Sequence, residues 1–134
     1  MGKKISWDNS ISITYGRLKN WDGAKKPLDH VPPVFGKTSL TYTNKKLNAE
    51  AYLLFNGRKK INDYNPDGED NQQYATPDGM PGWVTINWRG SYGFTKFLTL
   101  QAGVENIMDR NYRYFGSGFS AAGRNFFVSL RTNW

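Results

Sequence analysis

The 134-residue chain contains no cysteine, which excludes disulfides and thiolate metal sites and leaves the redox compartment unreadable from cysteine usage. Histidine is almost absent as well. His30 stands alone between Asp29 and Val31 in a proline-containing stretch, so no Ser–His pair and no His-based metal constellation can be assembled. Nothing in the sequence points to a carboxylate pair at work, and the chain does not read as an enzyme. No catalytic residue, no cofactor and no metal site is expected. Long apolar runs are missing too: the longest is Ala51 to Phe55, far short of the roughly 20 residues that a membrane-crossing helix needs. No apolar segment follows Met1-Gly2-Lys3-Lys4, which leads straight into Ile5 and Trp7, so no signal peptide is expected.

What the chain does have is aromatic residues in an alternating pattern. Aromatics make up 16% of the residues against 38% hydrophobic in total, a balance that suits strands better than helices. From Ile5 to Tyr15, Ile5, Trp7, Asn9, Ile11, Ile13 and Tyr15 alternate with Ser6, Asp8, Ser10, Ser12 and Thr14. Lys37 to Thr43 and Leu47 to Phe55 read as strands joined by a tight hairpin at Asn44-Lys45. Trp83 to Tyr92 sets Val84, Ile86, Trp88, Gly90 and Tyr92 against Thr85, Asn87, Arg89 and Ser91, and a short turn at Gly93-Phe94-Thr95 returns the chain through Lys96 to Glu105. The last strand sets Phe126, Val128, Leu130, Thr132 and Trp134 against Asn125, Phe127, Ser129, Arg131 and Asn133.

The connections come in two lengths. Gly16 to Phe35, with the Pro32-Pro33 pair that cannot donate to a ladder, is long; so are Asn56 to Pro81 and Asn106 to Gly123. The other two are tight turns. An all-β antiparallel up-and-down meander of about six long strands follows, with every long loop at one end. The strands are about as long as the ~9–11 residues that cross a bilayer when tilted, and such barrels carry short turns on one side and long loops on the other. A mean hydropathy of −0.69 would ordinarily signal a soluble protein, but barrel strands alternate lipid-facing with lumen-facing residues, so hydropathy underestimates them. On this reading the apolar faces look at lipid, while Asn48, Glu50, Thr85, Asn87, Arg89, Thr99, Gln101, Asn125 and Arg131 look at a wet lumen. Tyr15, Trp83, Tyr92 and Trp134, at strand ends, suit an interfacial aromatic girdle. A soluble sandwich with one wet face explains the alternation equally well but not the segregation of loop lengths.

The C-terminal stretch from Gly103 to Trp134 carries a family resemblance. GVENIMDRNY (Gly103 to Tyr112), the Gly116 to Arg131 run with its AAGRNFFVSLR segment, and the closing Trp134 resemble the end of a TonB-dependent outer-membrane receptor barrel. In that family a Gly-x-Glu-Asn-Leu-Phe-Asp-Lys-x-Tyr motif ends the penultimate strand, and a Gly-Arg pair opens the last one. Ile107, Met108 and Arg110 replace Leu, Phe and Lys here. PLDHVPPVFGKTSLTY (Pro27 to Tyr42) is similar to the family's lead into an earlier barrel strand.

The resemblance implies a single barrel segment over residues 1–134, the C-terminal part of a receptor for active uptake of an iron chelate, cobalamin or glycan. The location implied is the outer membrane of a Gram-negative bacterium. No plug domain and no N-terminal TonB box is recognised, so no transport is expected from the segment by itself. Its implied partners are the remainder of the barrel and the plug, outer-membrane lipid and lipopolysaccharide, the TonB complex through parts N-terminal to this segment, and the barrel-assembly machinery. That machinery would read Phe126, Val128, Leu130 and Trp134, with Thr132 departing from the usual larger residue. As an isolated piece with two free edges, the chain is expected to aggregate, to pair edge to edge as a homodimer, or to curl into a small barrel. The contrasting reading is a soluble basic β-barrel or sandwich that binds a polyanion or glycan.

Three local signals each carry two readings. Asp63-Tyr64-Asn65-Pro66-Asp67-Gly68 has the spacing of half a calcium loop, but Tyr74 stands where the bidentate Glu belongs, and a solvated acidic loop tip fits as well. The net charge of +7 gathers in Lys25-Lys26, Lys45-Lys46 and Arg58-Lys59-Lys60. Aromatics follow strand periodicity instead of joining these clusters, so no nucleic-acid partner is expected. Arg58, Lys59 and Lys60 face either lipopolysaccharide phosphates or simply solvent. Tyr112, Arg113 and Tyr114 are of the types that dominate recognition, and are either substrate contacts or loop packing.

Overall fold

The structure, a computed structural model, describes residues 4–134. The reading of the first three residues as part of a start without a signal peptide lies outside them. In chain order the strands are β1 (Lys4–Ser12), β2 (Arg17–Lys19), β3 (Lys25–Pro27), β4 (Phe35–Thr43), β5 (Leu47–Asn56), β6 (Lys59–Lys60), β7 (Gly79–Met80), β8 (Trp83–Gly93), β9 (Leu98–Glu105) and β10 (Asn125–Thr132). Six of them form one antiparallel sheet in the order β1-β4-β5-β8-β9-β10, so each long strand pairs with the next. This is the meander that the alternation implies. Among the described residues β1 and β10 do not pair with each other, and the sheet stays open.

Register divides the sheet by chemistry. Opposite Asn87 on β8 lies Tyr52 on β5, and Tyr52 in turn faces Ser39 on β4; Glu50 pairs with Arg89, and Ser91 with Gln101. These residues share one face. The other face carries Ile5, Trp7, Leu40, Leu53, Ile86, Trp88, Leu100 and Val128, and no strand position on it bears a charge. Burial runs opposite to that of a soluble protein. Thr85 and Asn87 are 1% and 3% exposed, whereas Val128 is 75% exposed. A soluble sandwich would bury its apolar face against a second sheet. That reading is not favoured here.

Polar groups on both faces find partners. On the apolar face, the Trp7 Nε1 donates to Thr38 Oγ1 at 2.9 Å, and the Thr38 hydroxyl donates to Asn9 Oδ1. On the polar face, Glu50 accepts from Lys37 Nζ at 2.6 Å and from Arg89 Nε at 2.5 Å, with both cations above the Tyr52 ring. Two glycines serve the sheet by yielding space: Phe127 lies against its cross-strand partner Gly103, and Phe55 against Gly36.

The boundaries differ from expectation in several places: β4 begins at Phe35 instead of Lys37, β10 ends at Thr132 and leaves Asn133 and Trp134 beyond it, and the connection 57–82 carries the β6–β7 pair. β1 stops at Ser12 instead of Tyr15, because its partner β4 starts at Phe35 and the prolines just before cannot extend the ladder. β9 begins at Leu98, not Lys96, since Thr95 and Phe97 close the turn: Thr95 Oγ1 accepts from the Phe97 amide. The connection 13–34, expected as a loop, folds into the β2–β3 hairpin, whose turn sits at the Trp21-Asp22-Gly23 signal.

The sidedness has a measurable consequence. Ala51→Arg, at the middle of β5 and facing Trp88, should destabilise the membrane-embedded barrel by ~2–4 kcal/mol, whereas Ser91→Arg on the opposite face should cost ~0.5 kcal/mol. Denaturant unfolding in bilayers would read both; equal costs would contradict the assignment of faces.

Candidate functional site

The three long connections meet above one end of the sheet, and a buried lysine ties them together. Lys59 on β6 is 4% exposed. Its ammonium donates to the Val31 carbonyl at 2.7 Å and to Asp70 at 3.2 Å, and lies 4.2 Å from the Phe115 ring and 4.9 Å from that of Tyr64. These partners come from all three connections. Of the Arg58-Lys59-Lys60 cluster expected to face phosphates or solvent, Lys59 therefore turns inward. A buried ammonium must find anions, carbonyls or π faces once it loses water, and this one has all three. Arg58 and Lys60 stay at the surface, with Arg58 donating to the Asp78 carbonyl at 3.2 Å.

Trp83 is the second anchor, and its placement corrects the girdle expectation. It shares the parity of Thr85 and Asn87 and so lies on the polar face, buried beneath the loops. The Tyr112 ring packs on it at 4.3 Å between centroids, and the Tyr114 ring meets it edge-on at 5.2 Å. Trp83 Nε1 donates to the Arg113 carbonyl at 2.9 Å, while the Arg113 guanidinium donates to the Tyr74 carbonyl at 2.8 Å. The three residues singled out as substrate contacts thus stand together, each with a packing partner. Tyr112 and Arg113 line a cleft of about 270 Å³ with Tyr74, Met80 and Trp83, whereas Tyr114 lines a neighbouring apolar cleft of about 360 Å³ with Phe35, Leu54, Trp83 and Phe115. Burial pushes the Tyr112 phenol far above its usual range, with help from Tyr114, and raises that of Tyr64.

The motif residues from Glu105 to Arg124 are the fasteners of this arrangement. Asn106, in a left-handed conformation, is buried; its amide donates to Asn87 Oδ1 at 2.8 Å. Its side chain donates to the carbonyls of Arg110 and Ala122 and accepts from the Arg110 amide. Asp109 Oδ1 accepts from the Arg124 amide at 2.7 Å, and Arg124 Nε donates to the Ile107 carbonyl. A Cβ at Gly123 would collide with that Asp109 carboxylate. The two ends of the connection 106–124 are thereby clamped, which presents Tyr112 to Trp83.

The acidic stretch engages two of its carboxylates with cations of the β2–β3 hairpin. Asp63 pairs with Arg17 at 2.7 Å and Asp67 with Lys26 at 2.9 Å, while Asn65 Oδ1 accepts from the Asp67 amide. Asp29, His30 and Asp70 could each offer one atom within 4.8 Å of the others. Asp70 is already neutralised by Lys59, however, and Asp29 Oδ2 accepts from the Glu69 amide, which holds its carboxyl below the usual range. No metal is assigned there. The periodicity did carry a signal for Trp83, through its parity with Thr85; nothing in sequence marked Lys59 as buried.

Lys59→Met removes the only ammonium beside Asp70 among the described residues and strands a carboxylate that is itself buried. A loss of about 3–5 kcal/mol in the stability of the loop cap is expected. Hydrogen exchange should accelerate at the amides of His30 and Glu69, which donate across the loops, while β8 stays protected. Unchanged exchange would show that the lysine is not the tie.

Comparison with known proteins places this geometry. The family model described as TonB dependent receptor-like, beta-barrel, matches residues 2–107. The iron-regulated outer membrane virulence protein of two strains of Vibrio cholerae serotype O1 is 24% identical over 130 residues, a match that covers 96% of this chain and 19% of that protein. The chain thus spans about a fifth of the length of these relatives. Among solved structures, the copper transporter OprC superposes with a TM-score of 0.75 at 23% identity, over 96% of this chain and 21% of that one. The ferric-catecholate import receptor Fiu of E. coli K12 does so with a TM-score of 0.65 at 15% identity, over 96% and 18%. An open six-stranded sheet, apolar outside and polar inside, with its long loops gathered at one end, is what a piece of such a barrel must look like, and the chain belongs to the TonB-dependent receptor β-barrel family.

Proposed function

We propose that this chain is a wall segment, C-terminal in its barrel, of an outer-membrane receptor that takes up a nutrient actively. The inverted polarity of the sheet carries the reading, because uncharged apolar positions on one face and paired polar groups on the other suit a wall between lipid and a wet lumen. Residues 1–134 act as one segment. Its neighbours are the rest of the barrel, which supplies strands for the free edges of β1 and β10, and the plug, which meets the Lys37–Glu50–Arg89 face. The chain takes part in no chemical conversion. The relatives are named for iron regulation, copper transport and ferric-catecholate import, which favours a metal or metal chelate over a glycan as the solute. Coupling to TonB passes through parts of the receptor outside this segment, and Arg58 and Lys60 lie toward lipopolysaccharide phosphates.

Within the segment, Tyr112, Arg113 and Tyr114 contribute to the substrate site at the outer mouth. What supports this is their grouping around Trp83 on the lumen side, with Tyr112 and Arg113 lining one cleft and Tyr114 the apolar cleft beside it. Alanine at Arg113 should weaken substrate binding by the full-length receptor about fivefold or more, as recognition hot spots do, with barrel assembly intact by heat-modifiable migration. Wild-type binding across a panel of iron chelates, copper complexes and cobalamin would withdraw the site.

Phe126, Val128, Leu130 and Trp134 form the assembly signal. The first three point outward from β10, and Trp134 is fully exposed beyond its end, so all are open to another strand edge. Deleting Trp134 from the full-length receptor should lower the assembled fraction in the outer membrane severalfold; an unchanged fraction would remove this role.

A further inference from the structure

We propose that the β2–β3 hairpin is an electrostatic flap, hinged at a root that the buried Lys59 and Asp70 anchor, and held shut by two ion pairs from its strands that solvent reaches and salt can release. The hairpin closes on itself: the Asn20 amide donates to the Ala24 carbonyl at 2.8 Å, and the Ala24 amide to Asp22 Oδ1 at 2.9 Å. It then docks on the connection 57–82 in two tiers of different character.

The root tier is built on the buried side chains of Lys59 and Asp70. Lys59 holds Val31 and Asp70, the His30 amide donates to Asp70 Oδ1 at 3.0 Å, and the Glu69 amide donates to Asp29 Oδ2 at 2.8 Å. Salt screens the Lys59–Asp70 pair little, because both side chains are buried and solvent ions cannot come between them. The far tier consists of Arg17–Asp63 at 2.7 Å and Lys26–Asp67 at 2.9 Å, with side chains 28% and 45%, and 33% and 76%, exposed. Exposed pairs of this kind contribute little singly and are screened readily. The apolar side chains beside them are only partly covered. Leu18 and Leu28 remain half exposed and Trp21, at the tip, is bare.

A molecule that needed this hairpin fixed would pin it with apolar contacts. Here the closed state rests on two weak charges over a cleft of about 190 Å³ walled by Tyr15, Leu28, Pro32 and Arg58. Swinging the hairpin out while the root holds would widen that cleft and free the Arg17 guanidinium toward solvent. The flap is therefore closed at low ionic strength and open at high. This inference concerns the loops alone and stands whatever solute the barrel carries.

The chain has no cysteine, so with any cysteine elsewhere in the receptor changed to serine, Asn20→Cys and Asn62→Cys take spin labels without background. With the full chain in its receptor barrel, pulsed dipolar spectroscopy at ~0.05 M NaCl should give one short distance. At ~1 M NaCl, where the screening length falls to about 3 Å, a second, longer distance should hold at least about a third of the population. Sucrose at equal osmolality should leave the short distance alone. Asp63→Asn with Asp67→Asn should populate the long distance at low salt and respond no further to salt; exchanging Arg17→Asp with Asp63→Arg should restore closure. Heat-modifiable migration of each variant checks that the barrel is intact. A single distance unmoved by salt, or a double variant that stays shut or still responds to salt, would overturn the proposal.

Discussion

A strand that crosses a bilayer has lipid on one side and water or protein on the other, and its side-chain period of two lets one sequence answer both. That constraint sets the rest of this structure. Charge can be placed only at every second position, and Lys37, Glu50, Arg89 and Arg131 all fall on the same face. The few polar groups on the other face cannot turn to water, so Trp7, Thr38 and Asn9 satisfy one another. The same reasoning forbids the free edges of β1 and β10 from meeting lipid unpaired, because open edges do not occur in the hydrocarbon region. Neighbouring strands of the barrel are thus a physical requirement of the segment.

A polar inner face cannot supply a hydrophobic nucleus, and the apolar packing is displaced accordingly. The buried hydrophobic residues, Tyr64, Met80 and Trp83, all lie at the loop end, where three connections fold over the top of the sheet. Lys59 makes this end a single unit by placing one charge where a carboxylate, a carbonyl and two aromatic rings converge. Its neighbours divide the cap into a firmly held part around Asp70 and a lightly held part beyond Arg17 and Lys26. Order in these loops is consequently graded, and the grading follows solvent access to the charges.

How much of this could be read from sequence depended on whether the signal was local. The six long strands were legible because alternation is a property of neighbouring residues, and both short turns were marked by Asn44-Lys45 and by Gly93-Phe94-Thr95. The extra β2–β3 hairpin was missed, since strands of three residues are too short for a period to show, although Asp22-Gly23 marked its turn. Lys59 looked like one member of an exposed basic run because nothing near it in sequence reveals Asp70, Val31 or Phe115 as neighbours. Trp83 shows the limit from the other direction. Position at a strand end suggested an interfacial ring, but parity with Thr85 was the stronger physical statement, and the side chain obeys parity.

The resemblance to family motifs also divides on physical grounds. The buried Asn106 spends its side chain on the backbone around it, Asp109 and Arg124 bond across the two ends of the connection, and a left-handed backbone at Asn106 and Asp109 accompanies those contacts. Tyr112, Arg113 and Tyr114 differ: each gives one side to the cap and keeps part of its surface free, which suits residues that both hold a loop and meet a ligand. Clamping both ends of the connection 106–124 limits the freedom of the loop before any solute arrives, and an ordered loop loses less entropy on binding. If the proposed assignment of Tyr112, Arg113 and Tyr114 holds, the motif matters to recognition through the geometry it imposes, while the contacts fall to the residues between its clamps.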